Sequence, residues 1–315
     1  MDNNMKVAIV TAVHIQPTDE WINALPTDCD IIVIDDSNGK VKIDKPNVRI
    51  YDYEKQKEVL GDIYEEFDKW FHRSSACKNL GHVIAYKEKY EVMIEIDSDC
   101  ICPRDLVERH LTALNMKGGD WVNPLQKKGL YPRGYPYSMR NKEVVANLGL
   151  WSDCLDINGA DRTKGEPKET DIGDNRIVDG LIPFSGMNFA IKREYIPLMF
   201  LIPNFDYKCL KFRRHDDIFG GYLFQKFLQI LDKKITYGLP IVRHDSEVIA
   251  SEDAAAEEAM NSADTMFYDL IDDALFMAKG KKPLELLESF NPDFNGSIFK
   301  ELEGPFNWYK KLWQK

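Results

Sequence analysis

The chain has 315 residues, of which 44% are hydrophobic and 11% aromatic, so it can bury a sizeable core and is not a disordered protein. Its formal net charge of -11 argues against broad attraction to nucleic acid or to an anionic membrane, but still allows a local basic pocket. The N-terminus lacks a signal-peptide pattern, and the apolar run at residues 7–13 is too short to span a bilayer. The six cysteines are scattered, unlike a secreted disulfide framework. We therefore expect a soluble cytoplasmic protein with no membrane span.

The first part of the chain has the pattern of a parallel α/β sheet. β-Branched apolar runs predict strands at residues 6–13, 30–34 and 48–51. Between the first two, Thr18 is placed as the N-cap of a short helix that contains acidic residues in its first turn. A helical pattern follows from residue 63 to 86, with a further helix expected around residues 77–87.

The middle of the chain is less regular. A helix is expected to open at Pro103 and run to about Leu114, and residues 121–124 are a candidate short strand. Residues 125–180 are rich in Gly, Pro and charged residues and show little periodicity. They are therefore predicted to form a long functional loop region.

Regular patterns return in the last third of the chain. The predicted elements are an antiparallel strand at 184–191, a helix from Arg193, a helix at 216–231, a strand at 235–244, an amphipathic segment at 254–279 and an aromatic-rich helix at 306–313. Together the patterns predict a mixed, mainly parallel sheet flanked by helices. Residues 1–250 would form the catalytic domain, and residues 251–315 a helical C-terminal extension packed on it.

The stretch Ile94 to Cys100 is an apolar strand that ends in Asp97-Ser98-Asp99. Once the chain leaves the sheet, both carboxylates can converge on one point. Two hard oxygen ligands suit a divalent cation that keeps open positions for phosphate groups. The alternative is an acidic surface turn, and the tripeptide alone does not decide between the two.

Other polar residues fall at the ends of predicted strands. Thr11 lies near the end of the first strand, and Asp35 and Asp36 follow the second. Ligands of open α/β sheets bind beyond the carboxyl ends of the strands, so these residues, with Asp97 and Ser98, are predicted to bind a nucleotide. Asp35 or Asp36 would accept hydrogen bonds from a base or ribose. A simple turn before Asn38-Gly39 is the competing interpretation.

Six short motifs together carry a resemblance. They are Asp97 to Cys100, Arg133 to Arg140, Gly149 to Trp151, Ser185 to Asn188, Arg214 to Asp217 and Gly238 to His244. In this order they resemble the plant reversibly glycosylated polypeptides, the UDP-arabinopyranose mutases. The resemblance is clear from about Leu80 to Ser246, is weaker before that and leaves the tail unmatched.

The resemblance implies a GT-A-type, Rossmann-like α/β fold, a UDP-sugar such as UDP-arabinose as ligand, and Mn²⁺ or Mg²⁺ as cofactor. It implies that Asp97 and Asp99 hold the metal and the diphosphate, with His244 as a further metal ligand. Arg133 matches the arginine that becomes reversibly glycosylated, and Arg140 matches a second arginine that the family needs.

The chemistry of the residue types supports these roles and also offers alternatives. Asp216 and Asp217 are catalytic candidates that would orient or partly deprotonate Arg133 or bind sugar hydroxyls, or they only cap a helix. Trp151 would stack on a sugar, or it belongs to the core. Asn188 is placed with the sugar-binding residues. His244 alone would more often be a satisfied strand-end histidine, and the two arginines would ordinarily be solvated.

Two departures from the family pattern stand out. Ser98 replaces the middle of three consecutive acids, and His215 replaces a tyrosine. They leave the metal acids intact but put the arabinose preference in question. Three functions therefore compete: a UDP-sugar mutase, a glycosyltransferase with a separate acceptor, and a non-catalytic nucleotide-sugar-binding scaffold. The aromatic tail would provide packing or a homo-oligomer contact.

Overall fold

The structure is a computed structural model that describes residues 5–118, 130, 132–134, 136–137, 140–162, 164–165, 173–178, 180–246 and 249–314. The predicted strand at residues 121–124 lies outside the described residues. Among the described residues, no helix has the length and apolar character needed to cross a membrane.

Twelve strands are described: β1 (Val7–Val13), β2 (Asp30–Asp35), β3 (Val48–Tyr51), β4 (Val92–Ile96), β5 (Cys100–Ile101), β6 (Lys117–Gly118), β7 (Lys142–Asp153), β8 (Arg176–Ile177), β9 (Asn188–Lys192), β10 (Phe205–Tyr207), β11 (Leu210–Phe212) and β12 (Lys234–His244). The described α-helices are α1 (Asp19–Ala24), α2 (Tyr53–Leu60), α3 (Tyr64–Phe71), α4 (Lys78–Lys87), α5 (Leu106–Leu114), α6 (Gly159–Arg162), α7 (Asp216–Ile230), α8 (Ala250–Met277), α9 (Pro283–Ser289) and α10 (Glu303–Leu312). Short 3₁₀ helices occupy Gly61–Ile63, Ser75–Cys77, Arg193–Leu198 and Lys300–Leu302.

The main sheet has the order β3-β2-β1-β4-β9-β7-β12-β5, with β6 on β7 and β8 on β12. The block β3-β2-β1-β4 and the pair β7-β12 are parallel, and the other described pairings are antiparallel. The expected mixed α/β sheet is confirmed, but it is more evenly mixed than "mainly parallel" because β9 runs antiparallel between β4 and β7.

Helices cover both faces of the sheet, as the side-chain alternation of β1 shows. Ala8, Val10 and Ala12 point into the larger apolar cluster, whereas Ile9 and Val13 point into the smaller one. A strand buried on both faces is typical of a sheet between two helical layers. This arrangement leaves the carboxyl ends of β1, β2 and β4 at one open edge.

The C-terminal helices share the larger core. The Trp308 ring of α10 lies 4.8 Å from the Phe71 ring, centroid to centroid, and its Nε1 donates to the Ile63 carbonyl at 3.0 Å. The Tyr309 hydroxyl donates to the carbonyl of Met199 at 2.9 Å. Residues far apart in sequence therefore form one apolar cluster.

Several predicted elements are confirmed. The strands β1 to β4 and β12 lie where expected, and α1 begins after Thr18, whose Oγ1 accepts from the Trp21 amide at 3.2 Å. The helices α4, α7 and α10 also match their predicted ranges closely. The helix expected from Arg193 is a 3₁₀ helix that contains Pro197.

The predicted loop region at 125–180 was wrong for residues 142–153. They form β7, which pairs with β9 and β12 inside the sheet. Val144 to Leu150 are all buried, so the strand is apolar on both faces and has no period-two alternation to mark it. The helix α2 was also missed, although Asp52 caps it by accepting from the Lys55 amide at 3.0 Å.

Candidate functional site

A cleft of about 390 Å³ lies at the open edge of the sheet. It brings together five of the predicted site residues, namely Asp97, Asp99, Asp216, Asp217 and His244. A second cavity of about 340 Å³, lined partly by Gln225 and Lys233 near the start of β12, contains none of the predicted site residues. The combination of carboxylates and a strand-end position therefore singles out the first cleft.

The turn after β4 fixes the acidic pair. The Asp97 carbonyl accepts from the Cys100 amide at 3.1 Å and from Trp21 Nε1 at 3.2 Å. The short strand β5 then pairs with the end of β12, where Cys100 lies opposite His244. This pairing places His244 Nε2 3.3 Å from Asp99 Oδ2. The sheet register thus joins residues 145 positions apart.

Lys78 is the buried cation of this acidic site. Its Nζ lies 2.7 Å from Glu95 Oε1 and 2.7 Å from Asp97 Oδ1, and it donates to the Gly186 carbonyl at 3.3 Å. Only 2% of the Lys78 side chain and none of the Glu95 side chain is exposed. His82 Nε2 bonds the other oxygen of Glu95. Burial alone would lower the pKa of Lys78, but Asp97 and Glu95 raise it well above its usual value.

The two acids of the turn differ electrostatically. Burial raises the pKa of Asp97 to about 6, with Lys78 opposing the rise and Asp99 adding to it. Burial alone would raise the pKa of Asp99, but the hydrogen bond and the charge of His244, together with a backbone hydrogen bond and Lys78, lower it. Burial alone would lower the pKa of His244, but the hydrogen bond and the charge of Asp99, together with the Cys154 carbonyl and Asp97, raise it. Asp99 and His244 therefore stabilise each other's charged forms.

The donor set fits a divalent cation, although its members bond one another in this structure. Among the described residues, no group of three His, Cys, Asp or Glu side chains is arranged to hold a metal. His244 Nδ1 lies 2.7 Å from the Cys154 carbonyl and must donate to it, so Nε2 is the nitrogen left for a ligand. Two carboxylates and this nitrogen are suitable donors for a metal that also binds phosphate.

Asp216 and Asp217 begin α7 at the opposite wall. Asp217 Oδ2 accepts from the Gly186 amide at 2.5 Å, a contact outside the helix. Burial, followed by the nearby Asp216 and Asp156, raises the pKa of Asp217 well above its usual value. Burial is also the main cause that raises the pKa of Asp216. The contact of Asp217 therefore differs from simple helix capping, and burial disfavours its charged form.

The residues predicted at the end of β2 have mostly local partners. Asp36 Oδ2 lies 3.0 Å from Nδ1 of His14, which lines the cleft, and its Oδ1 accepts from the Tyr53 hydroxyl at 3.1 Å. Asp35 Oδ1 accepts from the Ser37 amide at 2.8 Å, which is the turn interaction considered above. Asp35 Oδ2 is buried and has no hydrogen-bond partner among the described residues.

Two predicted contacts do not fit the structure. Asn188 is fully buried, its Nδ2 donates to the carbonyls of Leu150 and Pro240, and its Oδ1 bonds His110. It joins strands and has no polar atom left for a sugar. Thr11 is fully buried within β1 and does not line the cleft, whereas His14 beyond the strand end does.

Trp151 and Ser98 are also not among the described residues that line the cleft. Trp151 packs against the smaller apolar cluster, as its core alternative predicted. Ser98 is partly exposed in the turn between the two acids. The assignments of Trp151 to the sugar and of Ser98 to the nucleotide stay predictions.

The structure does not bring the two motif arginines to the acids. Arg133 is exposed, and the Arg140 guanidinium lies 3.7 Å from the Tyr137 ring centroid. Neither is among the described residues that line the cleft. Four other arginines do line it, and the sequence interpretation missed them: Arg73, Arg162, Arg213 and Arg214. The position of Arg213 and Arg214 just before the two aspartates was the one available signal.

Comparison with known proteins decides the family. The family model described as reversibly glycosylated polypeptide matches residues 1–268. The chain belongs to this family. The match covers the first strands and much of α8, and so extends beyond the segment in which the motifs were recognised. The protein is accordingly an enzyme of the UDP-sugar mutase and glycosyltransferase kind.

The comparisons with curated proteins and with solved structures give weaker results. No curated protein gave a significant match. Among solved structures, a mycobacterial protein shares 11% identity over 86% of this chain and 78% of its own, with a TM-score of 0.48. Glucosyl-3-phosphoglycerate synthase from Mycobacterium tuberculosis shares 12% identity over 86% of this chain and 84% of its own, with a TM-score of 0.47. The same synthase in complex with Mn²⁺, UDP and phosphoglyceric acid gives a TM-score of 0.45 at 11% identity, over 84% and 79% of the two chains. These similarities are too distant to support an argument about activity.

Replacing Lys78 tests the buried ion cluster that it forms with Glu95 and Asp97. We expect Lys78→Met to lower the free energy of unfolding by about 3–5 kcal/mol, because Glu95 and Asp97 lose a buried counterion. Lys87→Met, at the exposed end of the same helix, should change it by less than about 0.5 kcal/mol. Urea unfolding measures both values. A loss below about 1 kcal/mol for Lys78→Met would show that the ion cluster does not hold the site together.

The raised pKa of Asp217 gives a pH-dependent prediction. Its stabilising contribution is complete below the unfolded pKa of about 4 and is lost as the pH rises through the higher folded pKa. Asp217→Asn should therefore raise the melting temperature at pH 7 to 8, and the gain should shrink towards pH 4. Exposed Asp273→Asn is the matched control and should show no such pH-dependent gain. A gain that grows on acidification would contradict the direction of the pKa shift.

Proposed function

We propose that the protein is a metal-dependent UDP-sugar mutase that interconverts pyranose and furanose forms, most closely UDP-arabinose, with reversible glycosylation of Arg133. The observation that carries the proposal is the clustering of Asp97, Asp99, His244 and Asp217 in one cleft at the strand ends. Family membership supports the same class of ligand.

The nucleotide would occupy the part of the cleft next to β1 and β2. The buried Asp35 Oδ2, which has no hydrogen-bond partner among the described residues, is suited to accept a hydrogen bond from a base or ribose. Asp97, Asp99 and His244 would hold Mn²⁺ or Mg²⁺ beside the diphosphate. When bound, the cation would neutralise charge on the departing diphosphate as the anomeric bond breaks. Lys78 keeps Asp97 oriented towards this position.

Asp217 is the best-placed group for moving a proton. Gly186 N–H occupies Oδ2, so the proton of the neutral acid is left for Oδ1. Its raised pKa suits a group that both takes and returns a proton. A charged arginine is a poor nucleophile, so Arg133 would need such a carboxylate. The mutase proposal therefore requires Arg133 to reach the cleft.

A glycosyltransferase with a separate acceptor is the second candidate. The specific observation in its favour is that Asp217 lines the cleft whereas Arg133 does not. Asp217 would then act as the general base that deprotonates an acceptor hydroxyl. The same acidic turn would still hold the metal and the diphosphate.

One incubation separates the two functions. The protein is mixed with Mn²⁺ and labelled UDP-arabinopyranose, and both the nucleotide-sugar pool and the intact protein mass are analysed. A mutase gives the furanose isomer and a sugar adduct on the protein, and both are lost in Arg133→Ala. Arg104→Ala, at an exposed position, should retain both.

The metal requirement is read from the same assay. Asp99→Ala should weaken UDP binding and make it insensitive to chelator, because one cation ligand is gone. UDP release that depends on an added acceptor would reject the mutase in favour of the transferase. No binding of UDP-sugars with or without Mn²⁺ would reject both.

A further inference from the structure

Arg214 occupies an unusual place at the rim of the cleft. It precedes the acids of α7, and its backbone is left-handed with a φ of 56°. That conformation is sterically unfavourable for a residue other than glycine. The side chain lines the cleft and is 45% exposed. A strained backbone beside an acidic site is typical of a position kept for a functional contact.

Two acids of α8 hold the Arg214 guanidinium. Its Nε lies 3.2 Å from Glu257 Oε1, and its Nη1 lies 3.2 Å from Asp253 Oδ1. Glu257 is buried, and its second oxygen accepts from the Gly159 amide at 2.8 Å. Glu257 is therefore fixed from two sides and can fix the arginine in turn. The helix α8, from the predicted C-terminal extension, thereby contributes directly to the cleft.

The remaining edge of the guanidinium is available to a ligand. Nη2 of Arg214 has no hydrogen-bond partner in the part of the chain that the structure describes. A guanidinium offers five N–H groups in a planar fork that matches the oxygens of phosphate. Because α8 already orders the side chain, a bound anion would not have to immobilise it.

We propose that Arg214 binds a phosphate group in the cleft and that Asp253 and Glu257 are positioning residues for it. The proposal rests on the proposed function only in assuming that a phosphate-bearing ligand enters the cleft. The phosphate belongs either to the UDP-sugar or to a second, phosphorylated molecule. Binding experiments with the whole chain distinguish the two sources.

A positioning role for Glu257 and a purely electrostatic role predict opposite effects of Glu257→Gln on anion binding. If Glu257 acts only through its negative charge, removing that charge near an anion site should strengthen anion binding. If Glu257 positions Arg214, Glu257→Gln should weaken binding instead. Glutamine still accepts from the Gly159 amide, so the local fold keeps that hydrogen bond. Glu258→Gln makes the same charge change at the next, exposed position and is the matched control.

The test is calorimetric titration of UDP and uridine in the presence of Mn²⁺, with melting temperatures to verify folding. Arg214→Gln should weaken UDP binding about tenfold or more, as expected for a lost charge-assisted hydrogen bond, and leave uridine binding unchanged. Glu257→Gln should weaken UDP binding several-fold. Glu258→Gln should leave it unchanged or slightly stronger. Asp253→Asn provides a second positioning variant should Glu257→Gln fold poorly.

A second titration, with inorganic phosphate in the presence of saturating UDP, identifies the source. If Arg214→Gln leaves UDP binding intact but abolishes phosphate binding, the phosphate belongs to a second molecule. If Arg214→Gln leaves both UDP binding and phosphate binding unchanged, or if Glu257→Gln strengthens UDP binding, the proposal is overturned. If the wild type binds no UDP, the proposed function fails. A titration with pyrophosphate alone then tests the arginine site. Pyrophosphate binding that is lost in Arg214→Gln would still support the arginine site, and any other result would reject it.

Discussion

The buried ion cluster of Lys78, Glu95 and Asp97 is the interaction on which the site depends. One ammonium group from α4 bonds two carboxylates at the end of β4 and the carbonyl of Gly186. It therefore ties a helix, a strand and the approach to β9 together. Without this cation, the buried Glu95 and the acids that line the cleft would lose their main compensating charge.

The cleft contains several carboxyl groups whose charged form is disfavoured by burial. The pKa values of Asp97, Asp216 and Asp217 are all raised, with burial as the largest cause. Groups held in this way lower stability but are ready to bind a cation or to exchange a proton. The helix α8 supplies Asp253 and the buried Glu257, which hold Arg214. Positive and negative groups thus line one cleft without neutralising each other fully.

The sequence predicted the parts of the molecule that depend on local patterns. The strand before Asp97, the N-cap at Thr18 and the helix after His215 all follow from neighbouring residues. The strand end also predicted that Asp97 and Asp99 lie at the edge of the sheet, whereas Asp217 was a candidate only through the motif before α7 and the chemistry of its carboxylate. By contrast, β7 was missed because burial on both faces removes alternation.

Contacts between distant segments were not visible in the sequence. A lysine in a helix is usually exposed, so nothing marked Lys78 as a buried partner of Asp97. The bond between Arg214 and Glu257 joins the bend before α7 to the helix α8. Asn188 illustrates the opposite error, since a motif residue that appeared to bind a ligand instead bonds the carbonyls of neighbouring strands.

The central claim is that a divalent cation and a nucleotide diphosphate bind together beside Asp99 and His244. Crystals grown with UDP and MnCl₂ and measured at the manganese absorption edge test it most directly. The account predicts an anomalous peak bonded to Asp99 and to His244 Nε2, with the diphosphate next to it in the same cleft. UDP in the cavity near Lys233, or manganese bound away from both residues, would contradict the account.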